Sequence, residues 1–104
     1  MGTQPAPVNE TDSYVVWAGP INQDNVQKFF QGLANVAAGG TQHIHLMLHS
    51  MGGYVSDGIA LYNFFRALPT ELTVYNAGAC YSAAVLAYLG ANKRRTSASA
   101  AFML

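Results

Sequence analysis

The spacing of apolar residues changes period several times along the chain, from two to 3.6 and back. Tyr14-Val15-Val16-Trp17 is a short β-rich run closed by the turn signal Gly19-Pro20. Behind it Val26, Phe29, Phe30, Leu33, Val36 and Ala37 recur at i, i+3, i+4 and i+7, which predicts a helix. Asn22 is placed to cap that helix, Asp24 lies in its positive first turn, and Gly39-Gly40 ends it. From His43 to Leu48 the period drops to two, with Ile44, Leu46 and Leu48 on one face and His43, His45 and Met47 on the other.

Ser50-Met51-Gly52-Gly53 then breaks the chain, and a second helix is predicted over about Val55 to Leu68, before Pro69. Its apolar stripe reads Ile59, Ala60, Tyr62 and Phe65. Leu72 to Asn76 reads as a strand, Gly78 as a turn, and about Ser82 to Leu89 as a third helix ending before Gly90. Lys93-Arg94-Arg95 reads as a solvated loop, and Phe102-Met103-Leu104 as the beginning of a strand. Strands alternating with helices favour an α/β fold with a parallel sheet and right-handed crossovers. The expected organisation is a flexible lead-in over residues 1–13 followed by one domain over residues 14–104.

Composition narrows the function classes. Five Lys and Arg balance five Asp and Glu, and charged residues make up only 10% of the chain, well under the roughly 25% of ordinary domains. That argues against disorder and against a nucleic-acid binder working through a basic field. The same scarcity leaves a 104-residue domain with apolar surface it cannot bury internally, which predicts a homo-oligomer. Cys80 stands alone, so no internal disulfide forms, and the polar, acidic start lacks the pattern of a signal peptide. A cytoplasmic protein is expected. Leu72 to Asn92 carries no charge, but Asn76, Gly78 and Ser82 interrupt it, so strand, turn and helix are expected there and not a membrane span.

Two segments could carry chemistry. Ser50-Met51-Gly52-Gly53 runs from a strand to a helix, and a glycine pair lets backbone N–H groups face open space, where they can hold an anion or oxyanion. Plain turn formation explains most such pairs. Gly78-Ala79-Cys80-Tyr81-Ser82-Ala83-Ala84 makes a second strand-to-helix junction. Ser82 there is either a helix cap or a nucleophile with small neighbours that admit a carbonyl. Both segments end successive strands at the carboxyl edge of the expected sheet, where ligands bind in such folds.

The remaining chemistry-bearing residues have simpler readings. His43-x-His45 on one strand face could bind Zn²⁺ or Cu²⁺, but no Cys, Asp or Glu within several residues offers a third ligand, so a polar face is expected and no metal is assigned. His49 is nearest the glycine turn and could act as a base if it points towards Ser82. Cys80 has no positive neighbour and reads as a small core residue. Asp57 reads as a helix-dipole partner, and Phe29, Phe30, Tyr62, Phe64 and Phe65 as core or subunit interface.

From about Tyr14 to Leu104 the chain resembles the proteolytic subunit of the Clp protease, within the wider Clp-protease/crotonase group. The landmarks are Ala18-Gly19-Pro20-Ile21, Ser50-Met51-Gly52-Gly53 with Gly58 and Tyr62, Gly78 through Ser82, and Gly90-Ala91 with Lys93-Arg94. The resemblance implies repeated β-β-α and βαβ layers, incomplete at the C-terminus, and a serine endopeptidase subunit of the ATP-dependent Clp type without cofactors. It makes Ser82 the nucleophile and the N–H groups of Gly53 and Ala83 the oxyanion hole. Counting back from Gly90 would instead put Tyr81 in the nucleophile's place, but tyrosine cannot do the same chemistry.

The resemblance implies peptide or unfolded-protein substrates, a homo-oligomeric ring and an ATP-driven unfoldase. Met51 stands where many members carry Pro. The family's His would follow Leu104 directly and its Asp would come later, so the chain reads as an N-terminal fragment, inactive alone. Two alternatives use the same motifs: a non-catalytic Clp-like structural subunit, and a crotonase-type acyl-CoA enzyme.

Overall fold

The computed structural model describes residues 12–104. The lead-in expected over residues 1–13 therefore lies outside the described residues except for Asp12 and Ser13, and these two already belong to the first strand. Strand β1 (Asp12–Ala18) is followed by helix α1 (Gln23–Ala38), β2 (His43–Ser50), α2 (Val55–Ala67), β3 (Glu71–Tyr81), α3 (Ala83–Leu89), β4 (Lys93–Thr96) and β5 (Ala101–Met103). The strands form one sheet in the order β1-β2-β3-β4, with β5 also on β3, and every pairing is parallel. The α/β alternation and parallel sheet are those read from the sequence.

Helix α1 starts where Asn22 Oδ1 accepts the Asn25 N–H at 2.9 Å, satisfying one of the donors a helix start leaves over. Its apolar side joins one core cluster with Ile44, Leu46 and Leu48 of β2, all three of these side chains fully buried. Trp17, Phe29 and Phe65 join edge to face in sequence, tying β1 to α1 and α1 to α2. In α2 the buried residues are Gly58, Leu61 and Phe65, whereas Ile59 is exposed. The expected stripe is thus rotated towards Leu61, because Gly58 must face α3: a Cβ there would lie 2.7 Å from the Ala83 carbonyl oxygen.

Two local expectations fail at β3. Gly78 is no turn; the strand runs on through it to Tyr81. Pairing with β2 moves from Leu48↔Asn76 to Ser50↔Cys80, so β3 uses four residues where β2 uses two, an irregularity of the bulge type. Buried Asn76 stabilises it by accepting the Gly78 N–H at 3.1 Å through Oδ1 and donating from Nδ2 to the Ala101 carbonyl at 2.9 Å. The second correction is Lys93-Arg94-Arg95, which pairs with Thr73–Tyr75 as edge strand β4 and not as a loop. Its charged side chains are exposed, a pattern that protects a sheet edge from further pairing. The first half of β3 thus carries β4 and its second half carries β5.

None of the described helices is long and apolar enough to cross a membrane. The charge-free stretch from Leu72 to Asn92 is divided between β3 and α3.

Candidate active site

The carboxyl ends of β2 and β3 bring the two glycine-bearing segments together. After β3 the chain turns within one residue, Ser82, into α3. Ser82 has φ +54° and ψ −121°, and it is the one non-glycine residue with positive φ among the described residues. A side chain there costs of order 1–3 kcal/mol unless its surroundings hold it. Two contacts do so. The Ser82 N–H donates to the Met103 carbonyl of β5, and the Ser82 carbonyl accepts the Val85 N–H at 3.0 Å. The turn leaves the Ser82 side chain exposed while Ala83 and Ala84 behind it are buried. Tyr81, the other residue in question at this turn, is the last residue of β3 and pairs with Met103.

Gly52 and Gly53 come up beside this turn. Gly52 has φ +100°, and a Cβ on it would lie 2.6 Å from the Tyr81 carbonyl oxygen, 2.8 Å from Ser82 Cβ and 3.4 Å from the Ala83 nitrogen. Only glycine lets the two backbones approach this closely. Gly53 forms an isolated parallel bridge with Ile21, in which Ile21 N–H donates to Gly52 O and Tyr54 N–H to Ile21 O, both at 3.0 Å. Those bonds use the residues flanking Gly53, so its own N–H points away from Ile21 and has no backbone acceptor among the described residues. Ala83 is the first residue of α3, where an N–H has no partner within the helix. Unbonded N–H groups at the head of a helix and beside a glycine pair attract negative charge. Ser50, one of the strand-end residues, is buried and accepts the Gly52 N–H at 3.1 Å through Oγ, fixing the loop. A cleft of about 310 Å³ opens next to it, lined by Gly19, Pro20 and His49 to Gly52.

The histidines do not join this arrangement. His49 Nδ1 accepts the Ala79 N–H at 3.1 Å, and the ring rests on Gly78, where a Cβ would lie 2.7 Å from Nδ1. An imidazole accepting at Nδ1 carries its proton on Nε2 when neutral, so the ring has no lone pair left for Ser82. The idea of His49 as a base pointing at Ser82 is corrected accordingly: His49 holds the β3 irregularity in place. His43 and His45 lie at the far end of β2. Cys80 is buried in the core, and burial pushes its thiol up to about 11, which removes it as a nucleophile. Asp57 sits in the first turn of α2, as expected of a dipole partner.

Asn76 and Met103 are the positioning residues the sequence did not reveal. Asn76 lies in an apolar run with no motif around it, and Met103 acts through its carbonyl, which has no sequence signature.

A profile of the Clp protease family matches residues 9–104. ATP-dependent Clp protease proteolytic subunits 3 from Rhizobium johnstonii and Rhizobium etli are each 30% identical over 77 residues, covering 74% of this chain and 40% of theirs. Among solved structures, ClpP1 from Listeria monocytogenes superposes with a TM-score of 0.72 at 24% identity, over 75% of this chain and 46% of that one. The ClpP protease catalytic domain from Plasmodium falciparum gives 0.81 at 17% identity, over 88% and 53%. The 1510-N membrane-bound stomatin-specific protease gives 0.82 at 12% identity, over 88% and 45%. The chain thus spans about two fifths of the length of its curated relatives. On the breadth of the family match, together with a parallel sheet of the same fold, the chain belongs to the Clp protease family.

Proposed function

We propose that this chain supplies the nucleophile and oxyanion hole of a Clp-type serine endopeptidase. Ser82 attacks the scissile carbonyl, and the N–H groups of Gly53 and Ala83 take the negative charge that develops on its oxygen. The observation that carries this reading is the strained, exposed Ser82 turn held against Gly52, next to two backbone donors that have no other work. Preorganised donors of this kind contribute on the order of 10²–10³ in rate each. A crotonase-type acyl-CoA enzyme would use similar amides, but it would have no need of a hydroxyl held exposed by backbone strain.

A serine needs a base, and no described residue offers Ser82 one at hydrogen-bond distance. In this reading the base follows strand β5. Tyr81 pairs with Met103 and the Ser82 N–H is bonded to the Met103 carbonyl, so a residue that followed Leu104 would emerge near Ser82. In the Clp-type reading a histidine in that place takes the Ser82 proton and returns it to the leaving amine, with an aspartate further along orienting it. Peptide or unfolded-protein substrates, a homo-oligomeric ring and an ATP-driven unfoldase belong to the same proposal, as does a cytoplasmic setting. Exposed Tyr14, Val16, Met51, Tyr54 and Ile59 provide the apolar surface that oligomerisation would cover.

The test is covalent labelling with a fluorophosphonate. A chain continuing past Leu104 with histidine and a later aspartate should label at Ser82 and lose labelling in Ser82→Ala. Absence of labelling in such a chain, with the fold intact, would favour the second reading, a non-catalytic Clp-like subunit. Co-purification of the chain with an active copy would support that second reading.

A further inference from the structure

At the end of the sheet remote from Ser82, β1 and β2 each begin with a metal-binding side chain. Asp12 and His43 are paired in register, and His45 follows two residues on, on the same face of β2. One donor atom from each of the three lies within 4.8 Å of the others. No spacing rule could reveal Asp12 as the third donor, because it is 31 positions from His43 in sequence and adjacent only through strand pairing.

His45 makes this more than a coincidence of residue types. It is only 9% exposed, and its Nε2 is fully buried with no hydrogen-bond partner among the described residues. That atom faces Asp12 Oδ2 at 3.6 Å, too far for a hydrogen bond. A buried imidazole nitrogen without a partner costs of order a hydrogen bond's desolvation, so something should occupy it. One nitrogen of each ring is already committed. His45 Nδ1 bonds the Tyr75 hydroxyl at 2.9 Å and His43 Nε2 bonds the Thr73 hydroxyl at 2.8 Å, both from β3. Each histidine is therefore held by a hydroxyl on one nitrogen and keeps the other, Nε2 of His45 and Nδ1 of His43, for a ligand. Metal-bound histidines are held in the same way, by a neighbour on the nitrogen that does not bind the ion. The Tyr14 ring stacks on His45 at 4.5 Å and shields it from solvent on one side, with His43 at 4.2 Å on the same ring system.

We propose that Asp12, His43 and His45 bind a Zn²⁺-class divalent ion that clamps edge strand β1 onto β2, with a fourth position left to water. Two imidazoles and one carboxylate form a donor set that suits Zn²⁺ over the hard ions Mg²⁺ and Ca²⁺. Tetrahedral coordination brings donors to about 3.4 Å from one another, so binding would turn the half-buried Asp12 carboxylate inward and shift the His43 ring about its Thr73 hydrogen bond. The site owes nothing to Ser82, and its loss should leave Ser82 chemistry alone.

The experiment is titration of the chelator-stripped full chain with Zn²⁺, and with Co²⁺ as a spectroscopic probe. One ion per chain is expected, with visible Co²⁺ bands of tetrahedral intensity and a melting temperature raised by a few degrees. Asp12→Asn and His43→Gln should each weaken binding at least about tenfold, as should Tyr75→Phe, which removes only the hydroxyl behind His45. His45→Gln should abolish it. Where the buried His45 variant does not fold, the half-buried Asp12→Asn, checked by circular dichroism, decides. No stoichiometric Zn²⁺ binding by the folded chain would overturn the site, and so would binding that survives Asp12→Asn and His43→Gln together.

Discussion

Gly52 lies directly against Ser82, so close that a Cβ on the glycine would fall 2.8 Å from the serine's own Cβ. The contact joins the end of β2 to the turn after β3 without any side chain between them. It explains why both segments need small residues: one backbone is the wall against which the other is bent.

Gly52→Ala should therefore disrupt the turn. The new methyl meets the Tyr81 carbonyl oxygen at 2.6 Å and must also adopt φ +100°, which an L residue rarely does. We expect a stability loss of about 1–3 kcal/mol. Labelling at Ser82 should slow by on the order of 10²-fold in a base-containing chain, since displacements of an ångström cost that much. Chemical denaturation and phosphonate labelling measured on one preparation would show it. Wild-type labelling in the alanine variant would mean that Gly52 does not shape the site.

Strain at Ser82 has a distinct signature. Ser82→Ala keeps a Cβ at φ +54° and ψ −121°, whereas Ser82→Gly removes it. Both variants should lose labelling completely, but the glycine variant should be the more stable by about 1 kcal/mol. In an ordinary helix-cap role, serine would be the most stable of the three, with alanine worst. The order of the three denaturation midpoints separates the two roles, without any activity assay.

Much of this could be read from the chain. Alternation over His43 to Leu48 marks β2 and its buried face, the 3.6 period and Asn22 mark α1, and two strand-to-helix junctions mark the candidate site. The failures share a cause. Gly78 reads as a turn because local propensity does not register the His49 ring and Asn76 side chain that hold it in an extended strand. Lys93-Arg94-Arg95 reads as loop because an edge strand needs no apolar face. Asp12 reads as part of a flexible lead-in because only pairing with β2 brings it to His45.

Asn76 should matter more than its anonymity suggests. It is 1% exposed and ties the β3 irregularity to β5 through the Gly78 N–H and the Ala101 carbonyl. Asn76→Leu, of similar size, leaves both backbone groups without these partners and should cost about 1–3 kcal/mol each at most. β5 holds the Ser82 N–H through Met103, so the variant should also slow labelling at Ser82. Hydrogen exchange should show early opening of Ala101 to Met103. Unchanged protection there would contradict a link through Asn76.

Cys80 provides a prediction about pH. Burial raises its thiol from the ordinary 9.0 to about 11. The folded chain thus keeps a proton that the unfolded chain releases first. For a group of this sign the full stability is present below about pH 9 and is lost as the pH rises towards 11. The slope can reach about 1.4 kcal/mol per pH unit for one proton. Tyr88, also pushed up by burial, adds to the fall at the upper end, so the comparison is with Cys80→Ala, in which the cysteine part of the slope should vanish. Iodoacetamide at pH 8 should leave the folded wild-type thiol unmodified and alkylate it readily in denaturant, since only the thiolate reacts and the folded site suppresses it. Equal alkylation of folded and unfolded chains would show that Cys80 is reachable and ionised, and the thiol reading of this junction would then have to be reopened beside that of Ser82.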